Sequence, residues 1–154
     1  DPLLRLAAMV PPVPDRLKVM AERLKMSGAE KGFFAEFAEF PDISESMSRT
    51  AFETLLYERG AEGGKAKLRL AIARAVGRGD EDLEALRLTG FLQKRLAETV
   101  DWQRPVFPLK GADLIARGMA PGPELGNRLA QLEKGWIDSG FSLSRDMLLA
   151  QLDH

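Results

Sequence analysis

Apolar residues recur along this chain at spacings of three and four rather than two, the period of helices with one buried face. "DPLLRLAAMV" predicts a short helix at Asp1 to Val10, with Pro2 in its first turn, and "PPVP" breaks it. A second helix is expected from about Asp15 to Met26, with Leu17, Met20, Ala21 and Leu24 on one face. Ser27 and Glu30 have the S-x-x-E spacing of a capping box, so a third helix starts there. Its face carries Phe33, Phe34, Phe37 and Phe40, read as core rather than as a cofactor cage, and Pro41 ends it. The pattern predicts a fourth helix over Ser44 to Arg59, stopped by Gly60. The fifth is "EGGKAKLRLAIARAVGRG", closed by Gly77 and Gly79. The sixth is "DEDLEALRLTGFLQKRLAETV", opened by Asp80, Glu81 and Asp82, whose charges suit a helix N-terminus. Three more are expected at Gly111 to Arg117, at Pro123 to Ser139 and from about Ser144. The class is all-α: a compact array of about eight to nine short antiparallel helices, read as one domain over 1–154 with sub-lobes at 1–100 and 101–154.

One stretch departs from this pattern. "FPLKGADLIARGMAPGPELG" concentrates helix breakers between the seventh and eighth helices. Gly118 stands where a helix end takes a left-handed residue, Gly122 at an N-cap and Pro123 at the first helical position. Gly126 lies one turn further in, where another backbone is expected to approach closely. Asp113 is expected to bond across the corner. Leu114, Ile115, Leu125, Leu129, Leu132 and Trp136 supply the apolar faces that would close the hairpin. Such a corner can also present free amides to a phosphate, with Lys110, Arg117 and Arg128 nearby. A purely structural αα-hairpin is the other reading.

Hydrophobic residues make up 45% of the 154 residues and charged residues 29%, ordinary values for a soluble globular chain. The net charge of −1 excludes a global basic field, so a nucleic-acid contact would come from local patches. The fifth helix offers one. Lys67, Arg74 and Arg78 fall within an arc of about 40°, while Leu68, Ile72, Ala75 and Val76 occupy a sector expected to face the core. Such a stripe either tracks phosphates or is a solvated face.

Other chemistry is scarce. The chain has no cysteine, which removes disulfides, thiolate zinc sites and cysteine nucleophiles and fits a reducing, cytoplasmic setting. Its one histidine is His154, read as solvated. "GAEGGK" at Gly60 to Lys65 is a poor phosphate loop, lacking the spacing, the following Ser or Thr and the preceding strand. Carboxylates sit singly or in first turns, so no catalytic or metal-binding residue and no resident cofactor are expected. No apolar run approaches the ~20 residues of a membrane helix, and charges interrupt the N-terminal apolar residues as no signal peptide would allow. The chain begins at Asp1 without an initiator Met and is read as a piece of a longer protein.

Taken in order, several stretches resemble a known family. "FPLKGADLIARGMAPGPELGNRLAQLEKGWIDSGF" is similar to the C-terminal part of bacterial tRNA nucleotidyltransferases, the CCA-adding enzymes and poly(A) polymerases. The residues that match are Gly111, Asp113, Leu114, Gly118, Gly122, Pro123, Gly126 and Trp136, with "APGP" where the family has "PPGP". "DPLLRLAAMVPP" resembles the stretch after the family's nucleotide-reading neck, "AERLKMSGAE" resembles its next helix, and "LLYERG" and "LRLAIAR" also fit. The resemblance covers essentially the whole chain and is nearest to the alphaproteobacterial variety. It implies a body and tail that hold tRNA or another RNA through its backbone, with no membrane or DNA partner. It also implies a separate catalytic head, carrying a G-S-x-R-D loop, paired aspartates for two Mg²⁺ and an E-D-x-x-R element for ATP and CTP. None of those motifs occurs here. Two other readings stay open: a helical protein-interaction module, and a helix-hairpin-helix DNA-binding module built on the Gly-rich corner.

Overall fold

The computed structural model describes residues 1–79 and 81–152. Asp80, expected in the acidic start of the sixth helix, and His154 lie outside them. The described residues form nine α-helices and no strand, so the protein is all-α. They are α1 (Pro2–Met9), α2 (Pro14–Arg23), α3 (Gly28–Glu39), α4 (Arg49–Arg59), α5 (Ala61–Val76), α6 (Leu83–Glu98), α7 (Gly111–Ala116), α8 (Pro123–Asp138) and α9 (Arg145–Ala150). The chain divides into two compact units, Asp1–Gln103 and Arg104–His154.

Local chemistry sets most helix starts. Asp1 accepts from the Leu3 and Leu4 amides. Ser27 and Glu30 form the expected capping box, the Ser27 amide donating to Glu30 Oε2 at 2.7 Å and the Glu30 amide to Ser27 Oγ at 3.3 Å. These bonds hold the Glu30 carboxyl below the usual carboxylate range, the Ser27 backbone bond contributing most. Ser48, Asp82 and Ser144 cap α4, α6 and α9 by a single side-chain bond each, accepting the amides of Ala51, Ala85 and Met147.

Helix boundaries differ from the sequence expectation by up to five residues, and two of them show why. The second helix ends at Arg23, not Met26. The Met26 amide reaches back to the Ala21 carbonyl and the Lys25 amide to that of Glu22, with Lys25 left-handed at φ 51°. That is a Schellman closure with lysine where glycine is usual, so no breaker marks it in the sequence. The fourth helix starts at Arg49, five residues later than expected. Of three nearby serines only Ser48 caps an amide, while Ser44 accepts a turn bond from the Met47 amide and its hydroxyl meets that of Ser46 at 2.9 Å.

The first unit is organised around α3 and α5. The α5 helix packs on α3, α6, α4 and α1, and α2 covers α3. The aromatic face of α3 is core, as expected, but it serves two clusters. Phe34 and Phe37 join Ala7, Leu17 and Ala66, with Phe33 partly buried beside them. Phe40 turns to Phe52, Leu56, Leu68 and Leu92. Within α5, Leu68 and Ala75 are buried and Ile72 packs on the second cluster, but Val76, the last residue of the helix, is 57% exposed rather than core.

Close approach of α5 to α3 depends on "EGGK". A Cβ on Gly63 would lie 2.5 Å from the backbone carbon of Glu36, and one on Gly64 would lie 2.8 Å from the Phe40 ring. The Glu36 carboxylate, from α3, accepts the Gly63 amide at 3.1 Å. It thereby does the work of an N-cap side chain that Gly60, at φ 93°, does not provide.

In the second unit, Leu114, Leu132, Trp136, Leu148 and Leu149 are buried. The α8 helix closes as a Schellman motif through left-handed Gly140, and Phe141 returns onto Trp136 at 5.0 Å between ring centroids. Phe107 meets the same indole at 5.4 Å.

Candidate nucleic-acid interface

The three cations of the α5 stripe face one surface groove. Lys67, Arg74 and Arg78 line a depression of about 470 Å³ together with Val10, Phe37, Asp42, Ile43, Leu70 and Leu88. The fifth helix ends at Val76, so Arg78 lies in the turn beyond it rather than on the helical stripe the sequence suggested, yet it lines the same depression. Its lining combines three cations and the Asp42 carboxylate with apolar side chains.

The three cations are not equivalent. Arg74 and Arg78 are exposed and make no ion pair with another described residue. The side chain of Lys67 is only 13% exposed. Its ammonium lies 5.1 Å from the centroid of the Phe37 ring, a cation–π contact, and 3.5 Å from Asp42 Oδ1. Asp42 itself is 98% exposed in its side chain. It lies in the irregular segment between α3 and α4, and no periodicity in the sequence connected it to Lys67.

Lys110, Arg117 and Arg128 belong to the second unit. Lys110 precedes α7 and Arg117 follows it, so they stand at opposite ends of a six-residue helix. Arg117 is exposed and has interaction partners of its own. Arg128 works as a strut between elements: its guanidinium donates to Gln131 Oε1 and to the carbonyl of Gln151, beyond α9.

The Gly-rich corner is as expected at its turn. Gly118 is left-handed at φ 92°, with its amide donating to Ile115 and the Met119 amide to Leu114. Gly122 is the N-cap at φ 154° and Pro123 occupies the first turn of α8. Three expectations are corrected. Outside its own stretch of helix, no described atom lies within 4 Å of where a Gly126 Cβ would stand, so no other element approaches that glycine. The close approach of α8 is to Gly111 instead, whose Cβ would lie 3.2 Å from Leu125 Cδ2. Ile115 is 46% exposed and does not close the hairpin, whereas Leu114, Leu132 and Trp136 are buried. Asp113 does not bond across the α7–α8 corner. It accepts the Lys110 amide at 2.7 Å, capping its own helix, and Arg145 Nη2 at 2.7 Å from the start of α9. The Arg145 bond, then the Lys110 amide, hold its carboxyl below the usual aspartate range.

Substituting Gly126 by alanine is accordingly expected to raise stability by about 0.5–1 kcal/mol, the helix-propensity difference alone. Thermal unfolding checks it, and a loss of stability would contradict an open site.

Among the described residues no three acidic, histidine or cysteine side chains gather to hold a metal ion, and no helix is long and apolar enough to cross a membrane. No family model matches the chain. Curated relatives match part of it. The chain is 37% identical over 57 residues to CCA tRNA nucleotidyltransferase 1, mitochondrial, of Homo sapiens, covering 37% of this chain and 13% of that protein. Against the protein of the same name in Danio rerio it is 39% identical over 70 residues, covering 46% of this chain and 16% of that protein. The similarity thus spans about one sixth or less of these relatives' length, and it supports a relationship between this helical region and tRNA nucleotidyltransferases.

Proposed function

We propose that this chain is an RNA-holding helical region of a tRNA nucleotidyltransferase of the CCA-adding and poly(A) polymerase family, of the bacterial, alphaproteobacterial variety, working in the cytoplasm. Nucleotide transfer belongs to a head elsewhere in the protein, which would bind Mg²⁺ with ATP or CTP. The chain contributes grip on tRNA or another RNA. The observation that carries this reading is the α5 groove, whose lining includes two exposed arginines and a lysine. The partial similarity to enzymes named for CCA addition to tRNA, and the ordered family motifs across the chain, support the same parent.

The contact is electrostatic. Phosphates seated at Arg74 and Arg78 would release condensed counterions, so binding weakens as salt rises. Changing both arginines to glutamine should weaken tRNA binding about tenfold or more at low salt. The log–log salt slope should flatten by about 1.5, for two phosphate contacts. Filter binding or fluorescence anisotropy over a salt series measures both. Unchanged affinity and slope would leave the stripe a solvated face. Equal binding of duplex DNA would favour the helix-hairpin-helix reading, and absence of any nucleic-acid binding would favour a protein-interaction module.

A further inference from the structure

The groove holds an anion of its own, and its geometry differs from that of an ordinary surface ion pair. Lys67 is mostly covered, and its ammonium sits over the Phe37 ring. Asp42 is almost wholly in water, reaching the ammonium at the long distance of 3.5 Å. A largely covered cation touched by one almost fully solvated carboxylate still lines the open groove. The carboxylate loses little hydration in making the contact, and little holds it there. It occupies the place that a phosphate oxygen would take if a backbone followed the groove from Arg78 through Arg74 to Lys67.

We infer that Asp42 is a built-in, displaceable phosphate mimic that sets the threshold for RNA entry into the α5 groove. This deepens the RNA-holding reading of that groove and rests on it. The consequence is selectivity for polyanions. A single phosphate gains one contact at Lys67 and loses the Asp42 contact, a near-even exchange. A strand that also engages Arg74 and Arg78 adds two contacts for the same displacement. Inorganic phosphate should therefore fail to compete with tRNA beyond its effect on ionic strength, while an oligoribonucleotide competes.

The test measures tRNA affinity of the chain in four forms: native, Asp42→Asn, Lys67→Met, and both together. Lys67→Met keeps an apolar stem over Phe37, and thermal unfolding verifies that each variant is folded. Asp42→Asn should tighten binding about fivefold, the size of one exposed ion pair. Its salt slope should stay unchanged, because the same phosphates are contacted. In the Lys67→Met background the same change should give no gain. An equal gain in both backgrounds would show a general charge effect and overturn the inference, as would unchanged or weaker binding by Asp42→Asn. Either failure is separable from failure of the groove itself. If neutralising Arg74 and Arg78 still weakens binding, the RNA-holding reading stands without a gate at Asp42. If it does not, both fall.

Discussion

Replacing Gly63 by alanine is expected to destabilise the first unit by about 3 kcal/mol, although alanine is the better helix former by about 1 kcal/mol. The new Cβ would lie 2.5 Å from the Glu36 carbonyl carbon and 2.6 Å from its oxygen. Backbone cannot rotate away as a side chain can, so α5 must move off α3. That movement breaks the bond from the Gly63 amide to Glu36 and loosens both clusters that the two helices share. Gly64→Ala should cost less, about 1–2 kcal/mol, because its neighbours are the Phe40 ring and a Leu56 methyl, which can shift. Gly32→Ala in α3 meets nothing within 4 Å and should be neutral or stabilising. Urea unfolding of the three variants ranks them. A Gly63→Ala chain as stable as the native one would mean that α3 and α5 do not approach as described.

These glycines show what the sequence could and could not reveal. Helix number and class were legible because they rest on local signals: apolar period, serine and aspartate caps, and prolines and glycines at ends. The Ser27–Glu30 box and the Gly118–Gly122–Pro123 turn were readable for that reason. Glycines inside a helix carry no such sign. "EGGK" and the Gly126 position look alike on paper, yet only the former lies under another helix, because close approach is a property of the partner. The stripe of Lys67, Arg74 and Arg78 was legible from periodicity, and the structure does put all three on one groove. The inequality among them was not. It arises from Phe37 and Asp42, which lie thirty and twenty-five residues before Lys67 and come from another helix and the segment after it. Asp113 was expected to bond across the corner, but it bonds to Arg145, thirty-two residues away, and no local rule connects the two.

The segment that delivers Asp42 to the groove leads to the second large expected effect. Because α4 starts at Arg49 rather than Ser44, residues 41–48 form no helix and must be held by side chains. Two arginines of α6 do so. Arg87 reaches Glu45 at 3.0 Å, and Arg95 donates through Nη2 to the Met47 carbonyl at 2.7 Å. Arg95 is 9% exposed. Its guanidinium also donates to Glu98 at 2.9 Å and lies 5.2 and 5.7 Å from the Phe91 and Phe52 ring centroids, while its Nε has no partner. Arg95→Ala would leave the Met47 carbonyl and the Glu98 carboxylate without their donor and open a gap between two rings. The expected cost is about 3 kcal/mol, at the lower end for breaking a buried charged network because Glu98 keeps some access to water. Arg95→Met refills the gap without the donors and should recover roughly 1 kcal/mol of that loss. The denaturant midpoint should fall with an unchanged slope. Well below the unfolding transition, Arg95→Ala should also free the 41–48 segment and weaken the hold of Asp42 on Lys67. It should then tighten tRNA binding in the same direction as Asp42→Asn, though less. An Arg95→Ala chain within 0.5 kcal/mol of the native stability would show that the network does not hold this segment, and that Asp42 is placed by the backbone after Pro41 alone.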